Sequence, residues 1–521
     1  MSVPVSETTP INWTRLMLGF GAMVVGQFMA ILDIQIVAAS LPQIQAGIGA
    51  SSDEVSWIQT AYLIPEVVMI PLSGYLSRLW GTRNVYFFSC LGFVMMSVIT
   101  GLSTSLEMMI ISRALQGFLG GAMIPTVFAV AYSAFPPEKR VSAGVVMGLI
   151  VTLAPTVGPT LGGHLTEIAS WHWLFFINVP PGLLVLALVW RYGDFDKGDP
   201  SLARGFDWWG LGLMAAFLMS LQYVLEEGSK VNWFEDEAIL ILTALCIGAG
   251  IGFVVRSLRY RNPIVELRAF ADSNFSIGFL LTFVTGATLF GGTFLLPLFL
   301  NAIRDYSSAE VGTTMVISGL SMFLTAPIAG KLARQIDPRL QIFVGFAMVT
   351  FGMWQGHYVT AQWGFWEFAS VQAIRGVGIM LVMISAQNIS MSTLKPDMVK
   401  NASGLINLAR NVGGAVGLAL LATTLSNRTA AHSHELSERI TATDERALET
   451  LNTLIGRMQG LGLADPEAAG TKAFWGMLQK QASVLAFGDA FLFLASLSAL
   501  AAVAVLFSKP KAGAAPAPDV H

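Results

Sequence analysis

Long apolar runs recur along almost the whole sequence and restrict the chain to one class of fold. We count fourteen runs of about 18 residues or more, close to the roughly 20 residues that a helix needs to cross a bilayer core. With 54% hydrophobic and 12% charged residues, the chain has too little polar surface for a soluble globule. The sequence therefore predicts an all-α polytopic membrane protein. The runs lie near residues 16–41, 55–76, 84–105, 107–133, 141–166, 174–191, 207–226, 237–257, 274–300, 308–332, 340–359, 364–392, 401–425 and 484–507.

The positive charges between these runs indicate an orientation. If the N-terminus is cytoplasmic, 19 of the 30 Lys and Arg residues fall in the inner segments and two fall in the short outer loops. Six more lie in the long segment after the thirteenth run, and long segments cross the membrane largely regardless of charge. Because Lys and Arg concentrate in cytoplasmic loops, we expect both termini to be cytoplasmic.

The sequence also repeats itself weakly. The segment 71–78 aligns with 327–334 at an offset of 256 residues, and each segment has Pro, Gly, Leu and Arg at matching places. The segment 113–117 aligns with 372–376 at an offset of 259 residues, with its Arg and Gln exchanged. Two six-span halves of about 190 residues, separated by about 65 residues, would give such an offset.

We therefore divide the chain into two halves and an insertion. Residues 1–200 are predicted to form the N-terminal half, and residues 271–508 the C-terminal half. Residues 201–270 contain the seventh and eighth runs, which we interpret as two inserted spans. The polar segment 426–482 is predicted to be an outward-facing helical hairpin near the membrane, either a solvated connector or a docking surface for a periplasmic partner. The Ala- and Pro-rich tail 509–521 is predicted to be disordered.

The fifth run contains closely spaced proline and glycine residues. Such residues break helices in water, because they lower helix propensity and proline removes a hydrogen bond. In a membrane, neighbouring helices satisfy the freed backbone groups, and small residues allow close approach. We therefore predict a kinked, tightly packed seam formed by Pro155, Gly158, Pro159, Gly162 and Gly163. Their Gly-Pro-x-x-Gly-Gly pattern resembles the antiporter motif in the fifth span of drug:proton exporters of the major facilitator superfamily.

Three further segments resemble motifs of this family. Residues 31–42 resemble its first-span motif, residues 113–121 its fourth-span motif, and residues 171–180 its signature before the sixth span. The resemblance covers nearly the whole chain, and its nearest type is the EmrB/QacA-type 14-span drug:proton antiporter, in particular the EmrB-like exporters. It implies the major facilitator fold, with two six-helix halves and two inserted helices.

The segment 74–83 resembles the superfamily's loop between the second and third spans but departs from it at one position. Gly74 keeps the place that allows close helix packing. Arg78 stands where the wider superfamily has Asp, so the resemblance does not extend to a latch that depends on that Asp.

Ionisable side chains inside apolar runs are functional candidates, because each costs about 2.5 to 3.5 kcal/mol on insertion scales. Asp33 in the first run and Arg113 in the fourth lie at a similar depth, so we expect them to pair. Glu66 lies near the midplane in the second run. Arg375 lies in the C-terminal half, where the repeat places it opposite Gln116.

We predict that Asp33, Glu66 and Arg113 couple transport to protons. Making and breaking the Asp33–Arg113 pair would change proton affinity as the cavity opens to one side and then the other. Glu66 has no obvious cation in its own half and is the better candidate, although the sequence leaves open which acid carries the coupled proton. Alternatively, Asp33 and Arg113 form a permanent pair that only fixes packing, and Glu66 only bonds across helices.

A central cavity between the halves is predicted to bind the substrate. We expect its lining to include Tyr62, Gln116, Phe290, Arg375 and Asn388. Phe and Met are plentiful in the ninth to twelfth runs and suit a pliable apolar pocket. The sequence has no Walker motif, and the two histidines at 432 and 434 lack a third ligand, so we expect no nucleotide, cofactor or metal.

The resemblance implies a secondary active transporter, not an enzyme, that exports amphipathic or hydrophobic toxic compounds across the bacterial inner membrane by exchange for protons. An exporter dedicated to one metabolite, such as a fatty acid or a siderophore, is the alternative within this class. A transport-inactive receptor or scaffold that uses the segment 426–482 is the alternative from another class.

The expected partners are small amphipathic substrates, protons and membrane lipids, with no nucleic acid. The resemblance further implies a periplasmic adaptor and an outer-membrane channel. The charge of the substrate stays open at this stage. The acids of the first half favour cations and neutral compounds, whereas Arg375 and Arg410 in the second half leave room for anions.

Overall fold

The computed structural model describes residues 12–51, 54–395, 398–439, 445–461 and 464–507, and all of the regular secondary structure within these residues is helical. Four short 3-10 helices occur in connections, at Pro200–Ala203, Gly228–Lys230, Trp233–Glu235 and Leu267–Ala271. The α-helices of the described chain are α1 (Trp13–Ala39), α2 (Leu41–Ile48), α3 (Trp57–Trp80), α4 (Thr82–Gly101), α5 (Leu106–Gly120), α6 (Met123–Ser133), α7 (Pro137–Ile168), α8 (Trp173–Phe176), α9 (Val179–Tyr192), α10 (Trp208–Glu227), α11 (Glu237–Arg259), α12 (Ser273–Arg304), α13 (Ser308–Gln335), α14 (Pro338–His357), α15 (Phe365–Ser392), α16 (Val399–Arg439), α17 (Glu445–Gly460) and α18 (Pro466–Phe507).

Every predicted apolar run coincides with helix. The fourth run is divided between α5 and α6, and the sixth between α8 and α9. By length and composition, 11 helices of the described chain can cross a membrane, or 12 if the bent α7 counts as one span. Helices α3 and α14 are not in that set, so the number of fourteen spans stays a prediction. The predicted tail 509–521 lies outside the described residues.

Polar residues define where several spans begin. The side chains of Asp207, Asp236 and Asp272 accept hydrogen bonds from the first backbone N–H groups of α10, α11 and α12. Ser307 and Glu310 form a reciprocal capping box at the start of α13. These caps satisfy N–H groups that have no partner inside their own helix, which fixes the end of each span.

The helices form two halves that meet along two lines. In the N-terminal half, α1 packs against α7 and α9, and α5 packs against α3 and α4. In the C-terminal half, α12 packs against α16, and α15 packs against α13 and α14. The halves meet where α7 contacts α13 and α15, and where α16 contacts α3 and α6. The ends near Trp13, Trp80 and Lys400 form what we call the inner face, and the opposite side is the outer face; both names follow the predicted orientation.

The sequence repeat appears as matched helix packing. A Cβ atom added to Gly117 would collide with the carbonyl group of Tyr62, because α5 approaches α3 closely there. In the C-terminal half, a Cβ added to Gly376 would lie 2.8 Å from the carbonyl oxygen of Ser318. Tyr62 and Ser318 are 256 residues apart, the offset found between the repeated segments. The two halves therefore use the same glycine contact.

The glycines at 158 and 417 also occupy matching places. Each lies on the helix that packs against the first long helix of its own half. An added Cβ would lie 2.6 Å from Gln35 Cβ at Gly158, and 2.8 Å from Ala287 Cα at Gly417. At Gly162, an added Cβ would lie 2.9 Å from Ser40 Oγ. Only glycine allows these backbones to approach so closely.

Helix α7 is the predicted kinked seam. It contains Pro155 and Pro159, and its two parts meet at an angle of 43° between Pro155 and Val157. Gly163 lies on the same helix, beyond the bend. Because proline removes a backbone hydrogen bond from the helix interior, the bend occurs where the sequence predicts it.

At the inner face, Asp196 links the two halves. Its carboxylate accepts hydrogen bonds from Thr82 N at 2.8 Å and Thr82 Oγ1 at 3.0 Å, and it forms an ion pair with Lys400 at the start of α16. An added Cβ at Gly74 would lie 2.8 Å from the Lys400 carbonyl oxygen. The loop after α9 thus supplies a carboxylate beside the segment 74–83, in which Arg78 stands at the place of the superfamily's Asp.

The inserted helices α10 and α11 pack against each other, and Arg256 Nε donates to Asp207 Oδ1 at 2.9 Å between them. Helix α10 also contacts α3 and α16, one helix from each half. Among the candidate spans of the described chain, α11 is the least buried. The inserted pair is therefore attached to the two halves through α10.

The segment 426–482 is more helical than a connector requires. Helix α16 continues without a break to Arg439, α18 begins at Pro466, and α17 packs against α18. His432 Nε2 lies 2.9 Å from the Asp489 carboxylate and Gln479 Nε2 donates to Ser433 Oγ at 2.8 Å, so the two long helices are bonded to each other at the outer end of the predicted spans and beyond it. In the described part of the chain, no group of three or more His, Cys, Asp or Glu side chains is placed to hold a metal ion.

Close packing of α7 on α1 predicts a specific sensitivity at position 158. Gly158→Ala should lower the free energy of unfolding by about 1–3 kcal/mol, because the new methyl group overlaps Gln35 Cβ. Thermal unfolding of the purified protein in detergent measures this effect.

Gly248→Ala on α11 is the matched control, since no described atom outside its own helix lies within 4 Å of an added Cβ there. It should unfold at the wild-type temperature or above it, because Ala favours helix over Gly. Equal unfolding temperatures for the Gly158 variant and the wild type would contradict the close packing.

Candidate functional site

An ion pair lies in the centre of the N-terminal half. Helix α1 carries Asp33 and α5 carries Arg113, and Arg113 Nη1 donates to Asp33 Oδ2 at 2.5 Å. Both side chains are fully buried. The structure confirms the pairing predicted from their depth. A buried pair of this kind costs several kcal/mol of desolvation per ion, which only close geometry and further hydrogen bonds offset.

Further donors surround the Asp33 carboxylate. Asn178 Nδ2 donates to Asp33 Oδ1 at 2.7 Å, and Gln116 Nε2 donates to the same oxygen at 3.2 Å. Gln116 and Asn178 also donate to Ser97 Oγ, at 2.8 Å and 3.3 Å. Side chains of α5 and of the start of α9 thus converge on the α1 carboxylate, both of its oxygens have partners, and Ser97 of α4 accepts from the two amides.

Arg113 is held on its other sides as well. Its Nε donates to the Ile58 carbonyl oxygen at 3.2 Å, and its Nη1 donates to Gln116 Oε1 at 2.8 Å. The guanidinium group lies 4.3 Å from the centre of the Tyr62 ring, within the range of a cation–π interaction. We call Asp33, Arg113, Gln116, Asn178 and Ser97 together the ionic cluster.

A cavity of about 550 Å³ lies between the two halves. Helices α1, α2, α3, α6, α7, α10, α12, α13 and α16 contribute to its wall, which is mainly apolar and includes Phe290, Phe294, Leu63 and Met315. Asn301 also lines the cavity and is exposed, so the cavity reaches the outer surface. Its polar or charged lining residues are Gln35, Gln59, Glu66, Gln222, Glu226, Thr293, Asn301, Arg410 and Asn411.

Glu66 and Arg410 bring opposite charges to this wall from opposite halves. Glu66 on α3 is 3% exposed and lines the cavity. Within the described residues its side chain has no hydrogen bond or ion pair. Arg410 on α16 donates to Asn407 Oδ1 at 2.5 Å, and its guanidinium carbon lies 5.6 Å from the centre of the Phe128 ring. An unpaired carboxylate and a guanidinium group thus border the same cavity.

The structure separates the two predicted proton-binding acids. Ile31, Ile34 and Gln35 of α1 line the cavity, but the fully buried Asp33 is not among the described residues of its wall. The carboxylate of Asp33 points into the N-terminal half, whereas Glu66 borders space that water can reach. In this conformation, Glu66 is the acid that can exchange a proton with the cavity.

Four of the five predicted cavity residues are distributed over three environments. Phe290 lines the cavity. Tyr62 and Gln116 contact Arg113 instead, as described above. Asn388 lies between the halves, where its Oδ1 accepts from the Tyr132 hydroxyl group at 3.2 Å. Among described residues, only Phe290 of these four belongs to the cavity wall, because the other three side chains are turned into helix interfaces.

Arg375 forms a second buried cluster, in the C-terminal half. Its Nη2 donates to Gln372 Oε1 at 2.8 Å and to Ser318 Oγ at 2.9 Å, and its Nη1 donates to the Leu289 carbonyl oxygen at 3.4 Å. No Asp or Glu of the described chain forms an ion pair with it. Both halves therefore bury an Arg–Gln pair, and among the described residues the N-terminal half alone adds a carboxylate.

Asn178, Arg410, Gln222 and Glu226 belong to the site but are absent from the predicted set. Asn178 belongs to a recognised motif, yet the motif does not reveal that its amide reaches Asp33. The sequence shows Arg410 as a charge inside a predicted span, but it does not predict that Arg410 lines the cavity. Gln222 and Glu226 lie at the end of the seventh run, where a polar residue ordinarily marks a span boundary.

This arrangement can perform binding and proton exchange. The apolar wall can bury an amphipathic compound, and Glu66 can take up or release a proton as the contents of the cavity change. The ionic cluster is sealed from the cavity and holds α1, α4, α5 and the start of α9 together. The inner face is closed by the Asp196–Lys400 pair, so the cavity communicates with the outer side.

Comparison with known proteins agrees with this architecture. The Major Facilitator Superfamily model matches residues 23–418. The colistin resistance protein EmrB of Acinetobacter baumannii is 37% identical over 94% of this chain and 95% of its own length. The multidrug export protein EmrB of Escherichia coli is 28% identical, covering 98% of both chains. The fatty acid resistance protein FarB of Neisseria gonorrhoeae is 27% identical over 90% of this chain and 91% of its own length.

A solved structure shows the same fold at low sequence identity. The crystal structure of the human organic anion transporter MFSD10 (TETRAN) superposes with a TM-score of 0.58, covering 94% of this chain and 100% of its own, at 14% identity. The helix packing, the repeat and the family match lead to one conclusion. The chain belongs to the Major Facilitator Superfamily, as an EmrB-like membrane transporter and not an enzyme.

Proposed function

We propose that this protein exports amphipathic or hydrophobic toxic compounds in exchange for protons. The observation that carries the proposal is Glu66, a buried carboxylate without a partner in the described chain, on the wall of a mainly apolar cavity between two halves. The names of the related EmrB proteins, one of which denotes multidrug export, support the same activity.

The proposed cycle uses the two faces in turn. With the cavity open to the outer side, Glu66 takes up a proton and the substrate leaves. The two halves then rock around the cavity, the Asp196–Lys400 pair separates, and the cavity opens inward. There Glu66 releases its proton as a new substrate binds. Exchange results because the substrate and the proton favour different states of one carboxylate.

The ionic cluster is the second element of the proposed coupling. Tyr62 lies one helical turn from Glu66 on α3 and contacts Arg113 with its ring. A shift of α3 within its half during the cycle would therefore disturb the Asp33–Arg113 pair directly. Separating the pair would expose a buried charge, so the cluster favours the conformation in which it is closed.

A proton gradient is an adequate energy source for this task. Each elementary charge that crosses about 150 mV supplies roughly 3.5 kcal/mol. Since each 1.4 kcal/mol is worth a factor of ten, one proton can sustain a gradient of several hundredfold for a neutral compound. We propose that no nucleotide, metal or other cofactor takes part.

An exporter dedicated to one lipid-like acid is the second candidate function. Arg410 offers a guanidinium group to the cavity, and the name of the related FarB protein denotes fatty acid resistance. A deletion strain that becomes sensitive to many unrelated toxic compounds supports the multidrug function. A deletion strain that accumulates or becomes sensitive to a single acid supports the dedicated one.

We further propose a bacterial inner-membrane location with both termini cytoplasmic. The bacterial origin of the EmrB and FarB relatives and the distribution of Lys and Arg support it. The bonded extensions of α16 and α18 would then project into the periplasm. We propose that a periplasmic adaptor, which would lead to an outer-membrane channel, docks there.

Replacing Glu66 by Gln tests the coupling. Glu66→Gln should fold normally, because no partner of the described chain is lost, and export should fall to the rate measured without a gradient. The measurement is efflux of a fluorescent amphipathic dye from proteoliposomes with and without an imposed pH gradient.

Glu237→Gln, at the exposed start of α11, provides the same chemical change away from the cavity. It should retain full gradient-driven export. If Glu66→Gln exports as fast as Glu237→Gln under the same gradient, Glu66 has no part in coupling.

A double variant tests the role of the ionic cluster. Asp33→Asn or Arg113→Gln alone should cost about 3–5 kcal/mol of stability, because each leaves an uncompensated buried charge. Combining both changes removes the two charges together and should restore most of the unfolding temperature.

If the pair takes part in coupling, the folded double variant still lacks gradient-driven export, which is the expected result. If the pair only fixes packing, export returns together with stability. Thermal unfolding and proteoliposome efflux, measured on the same preparations, distinguish these outcomes.

A further inference from the structure

The inserted span α10 contributes a carboxylate to the central cavity. Glu226 lies next to the last residue of α10, and its side chain lines the cavity together with Gln222 one turn earlier. Gln222 Nε2 donates to Glu226 Oε1 at 3.0 Å, and Gln222 is 7% exposed. The helix that distinguishes this chain from a pair of six-span halves is therefore part of the wall around the substrate.

No basic residue of the described chain neutralises Glu226 by direct contact. The nearest lysine along the chain, Lys230, donates to Glu227 at 2.7 Å instead. Glu227 is the next residue on the helix, and it does not belong to the described lining of the cavity. Of two adjacent glutamates, Glu227 is paired with a lysine, and Glu226 faces the cavity with a single amide donor.

The rest of the cavity complements a positively charged amphipathic compound. Glu66 is the second acidic residue of the wall, and Arg410 is its one basic residue among the described residues. Phe290 and Phe294 line the same space, and aromatic faces attract cations as well as apolar groups. With both acids ionised the wall carries a net negative charge, and it keeps Glu226 as a counter-ion when Glu66 is protonated.

We infer that Glu226, held by Gln222, binds the cationic centre of lipophilic cations and thereby determines substrate charge selectivity at the outer part of the cavity. This inference rests on the proposed export function and adds a role for the inserted span. Helix α10 contacts both α3 and α16, so it closes one side of the cavity and places Glu226 on the route toward the outer face.

Two probes of equal shape and opposite charge test this role. Tetraphenylphosphonium and tetraphenylborate differ in the sign of their charge but hardly in size, so a change in packing affects both alike. Binding of each to the purified full-length protein is measured by calorimetry at one fixed pH. Glu226→Gln should weaken tetraphenylphosphonium binding about tenfold and leave tetraphenylborate binding unchanged or tighter.

Glu227→Gln is the matched control and should alter neither affinity. Glu226→Asp keeps the charge and should retain the preference for the cation, which keeps the test valid if the Gln variant proves unstable. Equal losses for both probes, an unchanged cation affinity in Glu226→Gln, or a wild type that does not prefer the cation would each overturn the inference.

Failure of the inference and failure of the proposed function are distinguishable. The binding measurement needs no pH gradient, so it reports on Glu226 even if export is not coupled to protons. Gradient-driven efflux of tetraphenylphosphonium by the wild type tests the export function separately. Efflux that continues unchanged in Glu226→Gln, with unchanged binding, leaves the function intact and removes Glu226 from selectivity.

Discussion

The cost of burying charge away from water organises this protein. The ion pair between Asp33 and Arg113 and the amide donors of Gln116 and Asn178 offset this desolvation cost, so the pair can lie sealed inside one half. Glu66 has no such partners in the described chain and instead borders a cavity that reaches the outer surface. The same physical penalty thus produces a closed pair that holds helices together and an open acid whose charge can change during transport.

Two halves can move against each other only if each half is held together firmly and the contacts between the halves can separate. Helices α7 and α1 approach closely because Gly158 and Gly162 carry no side chain; an added Cβ at either position would collide with the neighbouring residues. The inner face relies on the Asp196–Lys400 pair and on the backbone contact at Gly74, which lie at the edge of the interface. Packing of α7 on α1 inside one half is therefore dense, and the inner joint between the halves includes a polar contact that water can replace.

The inserted helices have unequal roles. Helix α11 is mostly exposed and packs chiefly on α10, whereas α10 contacts both halves and brings Gln222 and Glu226 to the cavity. An insertion between two repeated halves has no symmetric counterpart, so its polar side chains line one side of the cavity only. The unequal charges of the two halves, with Asp33 beside Arg113 and no described carboxylate paired with Arg375, make the site still less symmetric.

The sequence by itself determined the helical membrane fold, the internal repeat, the kink of α7 and the pairing of Asp33 with Arg113. These features follow from hydrophobicity, residue spacing and depth along a helix, all of which are local. Only the tertiary structure decided that Asp33 is sealed while Glu66 faces the cavity, that Tyr62, Gln116, Arg375 and Asn388 lie in helix interfaces, and that Glu226 is a wall residue. The reason is that the face of a helix which meets a cavity depends on its rotation against helices distant in sequence, and depth along one helix does not encode that rotation.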